Sequence, residues 1–210
     1  MLKLIIFDMD GVIFKDVNFW MSVHREFGTL QKGKLLTQQF LHTNYDRLVR
    51  EVVTKLWKGK DATTYFNLIK RIQYVKGVAE VFAEIKKRDL FTAIISAGSI
   101  DVARRAQHDL GVDYIFANEL VIRNNKVTGE FIWPIGSGGE KKAQIVLNLC
   151  KDLGIKQNKV AYIGDSDTDI DAFRIVGVSI AFNCNDEKVI NAAKYVVRGS
   201  DLRKCLRFLF

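Results

Sequence analysis

The sequence predicts an α/β protein, a parallel sheet covered by helices on both faces with a helical insertion after its first strand. Three observations carry this prediction. From about residue 77 onward, short apolar runs alternate with amphipathic helical stripes, the order of a parallel sheet with crossover helices. The apolar runs are near-continuous, which suits strands buried on both faces. Residues 15–74 carry helical stripes and no strand pattern.

The first strand is expected over residues 2–7, LKLIIF. In the insertion, Val49, Val52, Val53 and Leu56, and then Tyr65, Leu68, Ile69 and Ile72, recur at helical spacing. Its aromatics (Phe19, Trp20, Phe27, Phe40, Tyr45, Trp57, Tyr65, Phe66) are expected to form a core of its own, packing mainly on itself. Arg25, Lys32, Lys34, Arg47, Arg50 and Lys55 are expected on a solvated face, and His24 and His42 at the surface. A helix follows on Val78, Val81, Phe82 and Ile85, then a strand over 90–96, a helix capped by Ser99 and closed by Gly111, and a strand over 114–117. Residues 119–133, ELVIRNNKVTGEFIW, alternate around Asn124 and Asn125 and predict a hairpin with a tight turn. Val146, Leu149, Cys150 and Leu153 mark a helix closed by Gly154, ahead of strands over 160–164, 178–182 and 195–197. Gly177 is expected as a left-handed helix end and Ser200 as an N-cap. The domains expected are a core of residues 1–14 and 75–210 and a helical cap of residues 15–74.

A chain of 210 residues can fill one extended core with a cap. Hydrophobic content of 48% and charged content of 27% are those of a globular protein, with no apolar run long enough for a membrane span. The N-terminus enters a strand at once, so no secretory signal is expected. Cys150, Cys184 and Cys205 are widely spaced, which argues against a disulfide framework or zinc cage and for reduced thiols in a cytoplasm. The formal charge of +8 favours anionic partners or is simply a solvated surface.

In an open parallel sheet, ligands bind outside the carboxyl ends of the strands. Three loaded segments fall at that edge: Asp8-Met9-Asp10, Ser96-Ala97-Gly98-Ser99 and Gly164-Asp165-Ser166-Asp167-Thr168-Asp169. A fourth, GSGGEKKAQ at 136–144, opens a helix with Lys141 and Lys142 in its first turns, where cations oppose the helix dipole and so point to use. Converging carboxylates repel unless a cation sits among them, and Mg²⁺ suits a few carboxylates with waters and a phosphate oxygen. The set then holds what phosphoryl transfer through an aspartyl-phosphate requires: a carboxylate nucleophile, an acid/base two residues on, a hydroxyl and amides for phosphate oxygens, a lysine and a metal.

In DMDGV (8–12), IISAGS (94–99), Lys142 within GGEKKAQIV (138–146) and GDSDTD (164–169), the chain resembles the haloacid dehalogenase superfamily, and within it the phosphoserine phosphatases. FANELVIRNNKVTGE (116–130) and DLRKCLRFL (201–209) extend that likeness, while the insertion matches only in length and helical character. The resemblance implies a Rossmann-like three-layer core and a Mg²⁺-dependent phosphomonoesterase of small phosphorylated metabolites. It implies Asp8 as nucleophile, and Asp10 as general acid and then base with its carbonyl on the metal. Asp165 is implied as a metal ligand, Asp169 as a ligand through water or a support for the lysine. Ser96 with the amides of Ala97 and Gly98 is implied to bind phosphate, and Lys142, in preference to Lys141, to neutralise it.

One position departs from the family. Phosphoserine phosphatases carry a glutamate for the substrate amino group where this chain has Val17, and Arg47 and Arg50 are only candidates by proximity for gripping the serine carboxylate. Phosphoserine remains the first substrate expected. A phosphomutase would use the same residues. A rival of another class is a basic protein that keeps the fold and binds nucleic acid or a partner, but the chain shows no helix-turn-helix, zinc or RNA-binding aromatic signature. Nucleic acid and membrane are therefore not expected as partners.

Overall fold

A computed structural model describes residues 1–15 and 18–210. Seven strands form one sheet: β1 (Leu4–Phe7), β2 (Phe91–Ser99), β3 (Tyr114–Arg123), β4 (Lys126–Ile132), β5 (Val160–Gly164), β6 (Val178–Phe182) and β7 (Tyr195–Val197). Their order is β4-β3-β2-β1-β5-β6-β7, all neighbours parallel except the β3–β4 pair. The chain leaves β1 toward β2 on one side and later fills β5 on the other, so β1 lies at the point where the strand order reverses and a crevice opens at the carboxyl edge.

Side chains of β1 alternate between two layers. Ile5 and Phe7 pack with Ile94, Ile163 and the helices α5 (Val78–Lys86) and α6 (Ile100–Leu110); Phe7 stacks on Phe82 with centroids 4.8 Å apart. Leu4 and Ile6 join the opposite layer with α7 (Glu140–Asp152), α8 (Ile170–Ile175) and α9 (Glu187–Ala192) through Val146, Leu149, Phe173 and Val189. All four β1 residues are fully buried, each contributing about 1.5–3 kcal/mol of hydrophobic stabilisation. The three cysteines are buried and unpaired. Among the described residues, no helix is long and apolar enough to cross a membrane.

Between β1 and α5 lie α1 (Phe19–Glu26), α2 (Leu30–Phe40), α3 (Tyr45–Glu51), a π-helical turn at Val52–Trp57, and α4 (Thr63–Arg71). The expectation that these helices pack mainly on themselves is corrected in one respect. Phe19, Val53, Trp57 and Tyr65 belong to the same hydrophobic cluster as Phe7 and Phe82, so the insertion continues one face of the sheet. Polar ties reinforce the seam: Tyr65 Oη meets Ser99 Oγ at 2.6 Å and donates to Asp101 at 2.8 Å, and Arg105 donates to the carbonyls of Ile69 and Ile72. The tip of the β3–β4 hairpin grips residues 59–62 through backbone bonds such as Ala62 N to Asn125 O, 2.8 Å.

That hairpin turns at Asn124 and Asn125 with φ of 50° and 57°, the left-handed pair of a tight hairpin turn. It is not separate from the strand expected over 114–117: β3 runs from the buried sheet into a half-exposed ribbon, where alternation replaces the continuous apolar run. Three local expectations are also corrected. Gly177 does not have a positive φ; a Cβ there would lie 2.2 Å from the Asn158 carbonyl oxygen, so close backbone approach requires the glycine. The cap assigned to Ser200 belongs to Asp201, whose carboxylate accepts from Arg203 N. His24 is buried at 2% exposure, because Thr29 and the Trp57 indole satisfy its Nδ1.

Candidate active site

The carboxyl ends of β1, β2 and β5 converge where the sequence placed its loaded segments. Asp8 N donates to Ile163 O at 2.8 Å, so the first residue after β1 is still bonded to β5. Met9 is fully buried between Asp8 and Asp10. The chain bends at Met9, so that the carboxylates of Asp8 and Asp10 both line the crevice while the thioether joins the core. The turn then tightens at Gly11, with φ of +80°; a Cβ there would stand 2.1 Å from Asp165 Oδ2, so this backbone presses directly against the carboxylate at the end of β5.

Lys142, on the first turn of α7, is 1% exposed. Its Nζ lies 3.1 Å from Asp8 Oδ1 and 2.7 Å from Asp169 Oδ1. Lys141 is exposed, so the structure separates the two lysines that the sequence left adjacent. Burial opposes the charge of Lys142, but Asp169 and Asp8 outweigh it and hold the ammonium above the usual lysine range.

Asp169 is fully buried and heavily engaged. Its Oδ1 accepts from Lys142 and from Tyr162 Oη, and its Oδ2 from the amides of Asp165 and Ser166 and from the Ser166 hydroxyl. A Cβ at Gly164 would meet its carboxyl at 2.4 Å, the reason a glycine precedes Asp165. Asp8 accepts from Met9 N at 2.7 Å. Burial, tempered by Lys142, pushes its carboxyl up to about 6. Burial together with the charges of Asp8 and Asp169 pushes Asp165 up to about 8.

Asp8, Asp165 and Asp169 each offer an oxygen within 4.8 Å of the others. Three carboxylates face one lysine in a low-dielectric crevice, so burial first and mutual repulsion second oppose the charge of Asp165. Hard oxygen donors crowded in this way fit a small divalent cation.

Ser96 is buried, and its Oγ accepts from Gly98 N at 3.0 Å across a register break in β2. A Cβ at Gly98 would come within 3.2 Å of both Asp10 Oδ2 and Ser96 Oγ, which places the Asp10 carboxylate opposite this turn. The turn is held from outside. Asn118 Nδ2 donates to Ala97 O and Gly136 O, its Oδ1 accepts from Ile135 N, and Trp20 Nε1 donates to Ala97 O at 2.9 Å.

The crevice encloses about 340 Å³. Asp8, Asp10, Ser96, Lys142 and Asp165 line its floor, and Asn18, Trp20, Leu41 and Tyr45 its roof from the insertion. Arg47 and Arg50 are exposed and absent from these walls; the Arg47 guanidinium sits over the Phe40 ring. Val17 lies outside the described residues. Sequence reasoning missed Asn118, Tyr162, Trp20 and Tyr45. The only linear signal was a polar side chain inside an apolar run, as in IFANEL and VAYIG.

A family model described as haloacid dehalogenase-like hydrolase matches residues 2–177. A phosphoserine phosphatase of Methanocaldococcus jannaschii is 28% identical over 209 residues, covering 99% of this chain and 97% of that protein. One from Saccharomyces cerevisiae is 30% identical over 196 residues, covering 91% of this chain and 62% of its own length. A solved structure of a substrate-bound phosphoserine phosphatase complex superposes with a TM-score of 0.86 at 27% identity, over 100% of this chain and 99% of the other. A phospho-aspartyl intermediate analogue of phosphoserine phosphatase gives the same TM-score, identity and coverage.

Proposed function

Because this chain belongs to the haloacid dehalogenase-like hydrolases, we propose that its crevice hydrolyses small phosphomonoesters through a phosphorylated Asp8. It is a phosphatase of the phosphoserine phosphatase type. The observation that carries the assignment of roles is the buried Lys142, held between Asp8 at 3.1 Å and Asp169 at 2.7 Å, with Asp165 in the same carboxylate cluster.

In the first step an Asp8 oxygen attacks phosphorus, the ester P–O bond breaks, and Asp10 gives its proton to the departing alkoxide. In the second, Asp10 takes a proton from water, the water oxygen attacks phosphorus, and the Asp8–phosphate bond breaks to free inorganic phosphate and restore the carboxylate. Ser96 Oγ and the amides of Ala97 and Gly98 receive phosphate oxygens, while Lys142 offsets negative charge on phosphate and Asp8. Asp169, with both oxygens engaged by protein donors, holds Lys142 in place and would support a metal through water if at all. Asp8, Asp165 and the Asp10 carbonyl are the groups for Mg²⁺, which when bound supplies positive charge against a non-bridging phosphate oxygen.

Residues 15–74 serve as the cap and residues 1–14 and 75–210 as the catalytic core; the cap excludes bulk water during the first step. A cytoplasmic location agrees with the three unpaired cysteines. The test is phosphate release from a panel of phosphomonoesters that includes phosphoserine, with Mg²⁺ and with chelator. Release that requires metal and falls to background in Asp8→Asn is expected; undiminished release by the variant would refute the assignment.

A further inference from the structure

Beside the crevice, inside the insertion, lies a second cavity of about 140 Å³. It shares Asn18, Trp20, Leu41 and Tyr45 with the crevice, so these four residues border both spaces. Its further walls include Val49, Val52, Val53, Trp57 and Trp133, drawn from α3, the π-helical turn and the segment after β4.

Among the described residues, no Asp, Glu, Lys or Arg lines this cavity. Most of its polar side chains bond one another or the turn at Ala97, while Asn18 accepts from Met21 N and Thr37 adds a hydroxyl. Trp20 Nε1 donates to Ala97 O, Trp133 Nε1 to Tyr45 Oη at 3.1 Å, and Trp57 Nε1 to His24 and Thr29. Most of the remaining wall is ring face, with Trp20 stacked on Trp133 at 4.9 Å, and aliphatic surface from Leu41, Leu48, Val49, Val52 and Val53. Burial pushes the His24 imidazole down to about 4, so it adds no charge at neutral pH. A cavity of roughly 150 Å³ has room for a benzene-sized guest.

The crevice itself presents Lys142 as its one cation among the described residues, and that cation is already committed to Asp8 and Asp169. A second anionic group on the substrate would therefore lose hydration without gaining a cationic partner among the described residues. A hydrocarbon end would gain burial in the neighbouring cavity.

We propose that the alcohol carried by this enzyme's substrate is uncharged and apolar, a branched-alkyl or arylmethyl phosphate whose hydrocarbon end seats among Val49, Val53, Trp57 and Trp133. This rests on the reading that the Asp8–Lys142 crevice hydrolyses phosphomonoesters. It gives the insertion a selective role, because the phosphate is held by the core and the alcohol is sorted by the cap.

The test compares kcat/KM of the wild-type protein, with Mg²⁺, on benzyl, 3-methylbutyl and ethyl phosphates and on phosphoserine. All four leave as alkoxides, so the comparison is not dominated by an activated phenol. Benzyl and 3-methylbutyl phosphates are expected to exceed ethyl phosphate and phosphoserine by at least about tenfold, the scale of a methylene or more placed in an apolar pocket, mainly through KM. In Val49→Phe, which fills the cavity, the benzyl-over-ethyl ratio should collapse toward one. All three tryptophans of the chain line this cavity, so benzylphosphonate, which is not hydrolysed, should also change intrinsic fluorescence saturably, and less so in Val49→Phe. Phosphoserine equal to or better than benzyl phosphate would overturn the inference while leaving the hydrolase standing. Saturable benzylphosphonate binding with no ester hydrolysed would support the cavity assignment and remove the hydrolase reading instead. No fluorescence response together with no preference among the esters would overturn the inference.

Discussion

The floor and the roof of the crevice are made of opposite chemistry. On the floor, Asp8, Asp165, Asp169 and Lys142 crowd charge into a buried space, and Asp169 accepts bonds from five donors to keep one lysine in place. On the roof, Trp20, Leu41 and Tyr45 are neutral, and the indole N–H of Trp20 is spent on tying the insertion to the Ser96–Gly98 turn. The floor hangs on strand ends locked by the sheet, whereas the roof is carried by helices that meet the core along one hydrophobic seam. The proposed roles then divide the work: reactivity on strand ends held by the sheet, and selection in the insertion, where packing can vary without moving the reacting atoms.

This contrast can be broken first at the floor. Lys142→Met should abolish measurable turnover and lower stability by about 3–5 kcal/mol in urea unfolding, because two buried carboxylates lose their counter-charge. An unfolding midpoint like that of wild type would show that Asp8 and Asp169 do not depend on the lysine. Gly11→Ala is expected to cost about 10²-fold in kcat/KM and to raise the Mg²⁺ concentration needed for half-maximal rate, since its Cβ must displace Asp165. Unaltered metal dependence would mean that Asp165 tolerates the shift.

The charge crowding also predicts a dependence on pH and metal. Asp8 at about 6 and Asp165 at about 8 lie above their ordinary value of 3.8, so the metal-free fold holds protons that the unfolded chain has released. Stability should therefore fall as pH rises from about 4 to about 8. Thermal melts with chelator should show a lower Tm at pH 8 than at pH 5, and Mg²⁺ should raise Tm more at pH 8. A chelated Tm that is flat across this window would remove the electrostatic account. The smallest effect is expected at the seam. Tyr65→Phe removes the hydroxyl that meets Ser99 and Asp101, and should cost about 1–2 kcal/mol with kcat for small esters little changed. A loss of kcat as large as that of Gly11→Ala would instead tie the seam to the reacting groups.

Much of the floor was legible in the linear chain. Asp8 and Asp10 follow an apolar run with only Met9 between them, Asp165 and Asp169 follow another, and strand ends of a parallel sheet share an edge, so local pattern alone predicted their convergence. The strands at 160–164, 178–182 and 195–197 were read at the bounds observed, because uninterrupted apolar runs bounded by polar residues leave little freedom. The choice of Lys142 over Lys141 followed from resemblance, and the helical rotation that buries one and exposes the other became visible only in the fold.

The roof was not legible. His24 looked like a surface residue until Trp57, 33 positions away, covered it, and Asn118 drew no reading although it bonds Ala97, Ile135 and Gly136 together. Trp20, Tyr45, Trp57 and Trp133 become the walls of one cavity only when helices of the insertion meet the end of a distant hairpin. The sequence by itself determined where the strands lie along the chain and which residues sit at their ends, because those properties depend on periodicity and on neighbours along the chain. The tertiary structure alone decided which faces of the insertion turn inward and what the crevice will admit, because that depends on contacts between segments far apart in sequence.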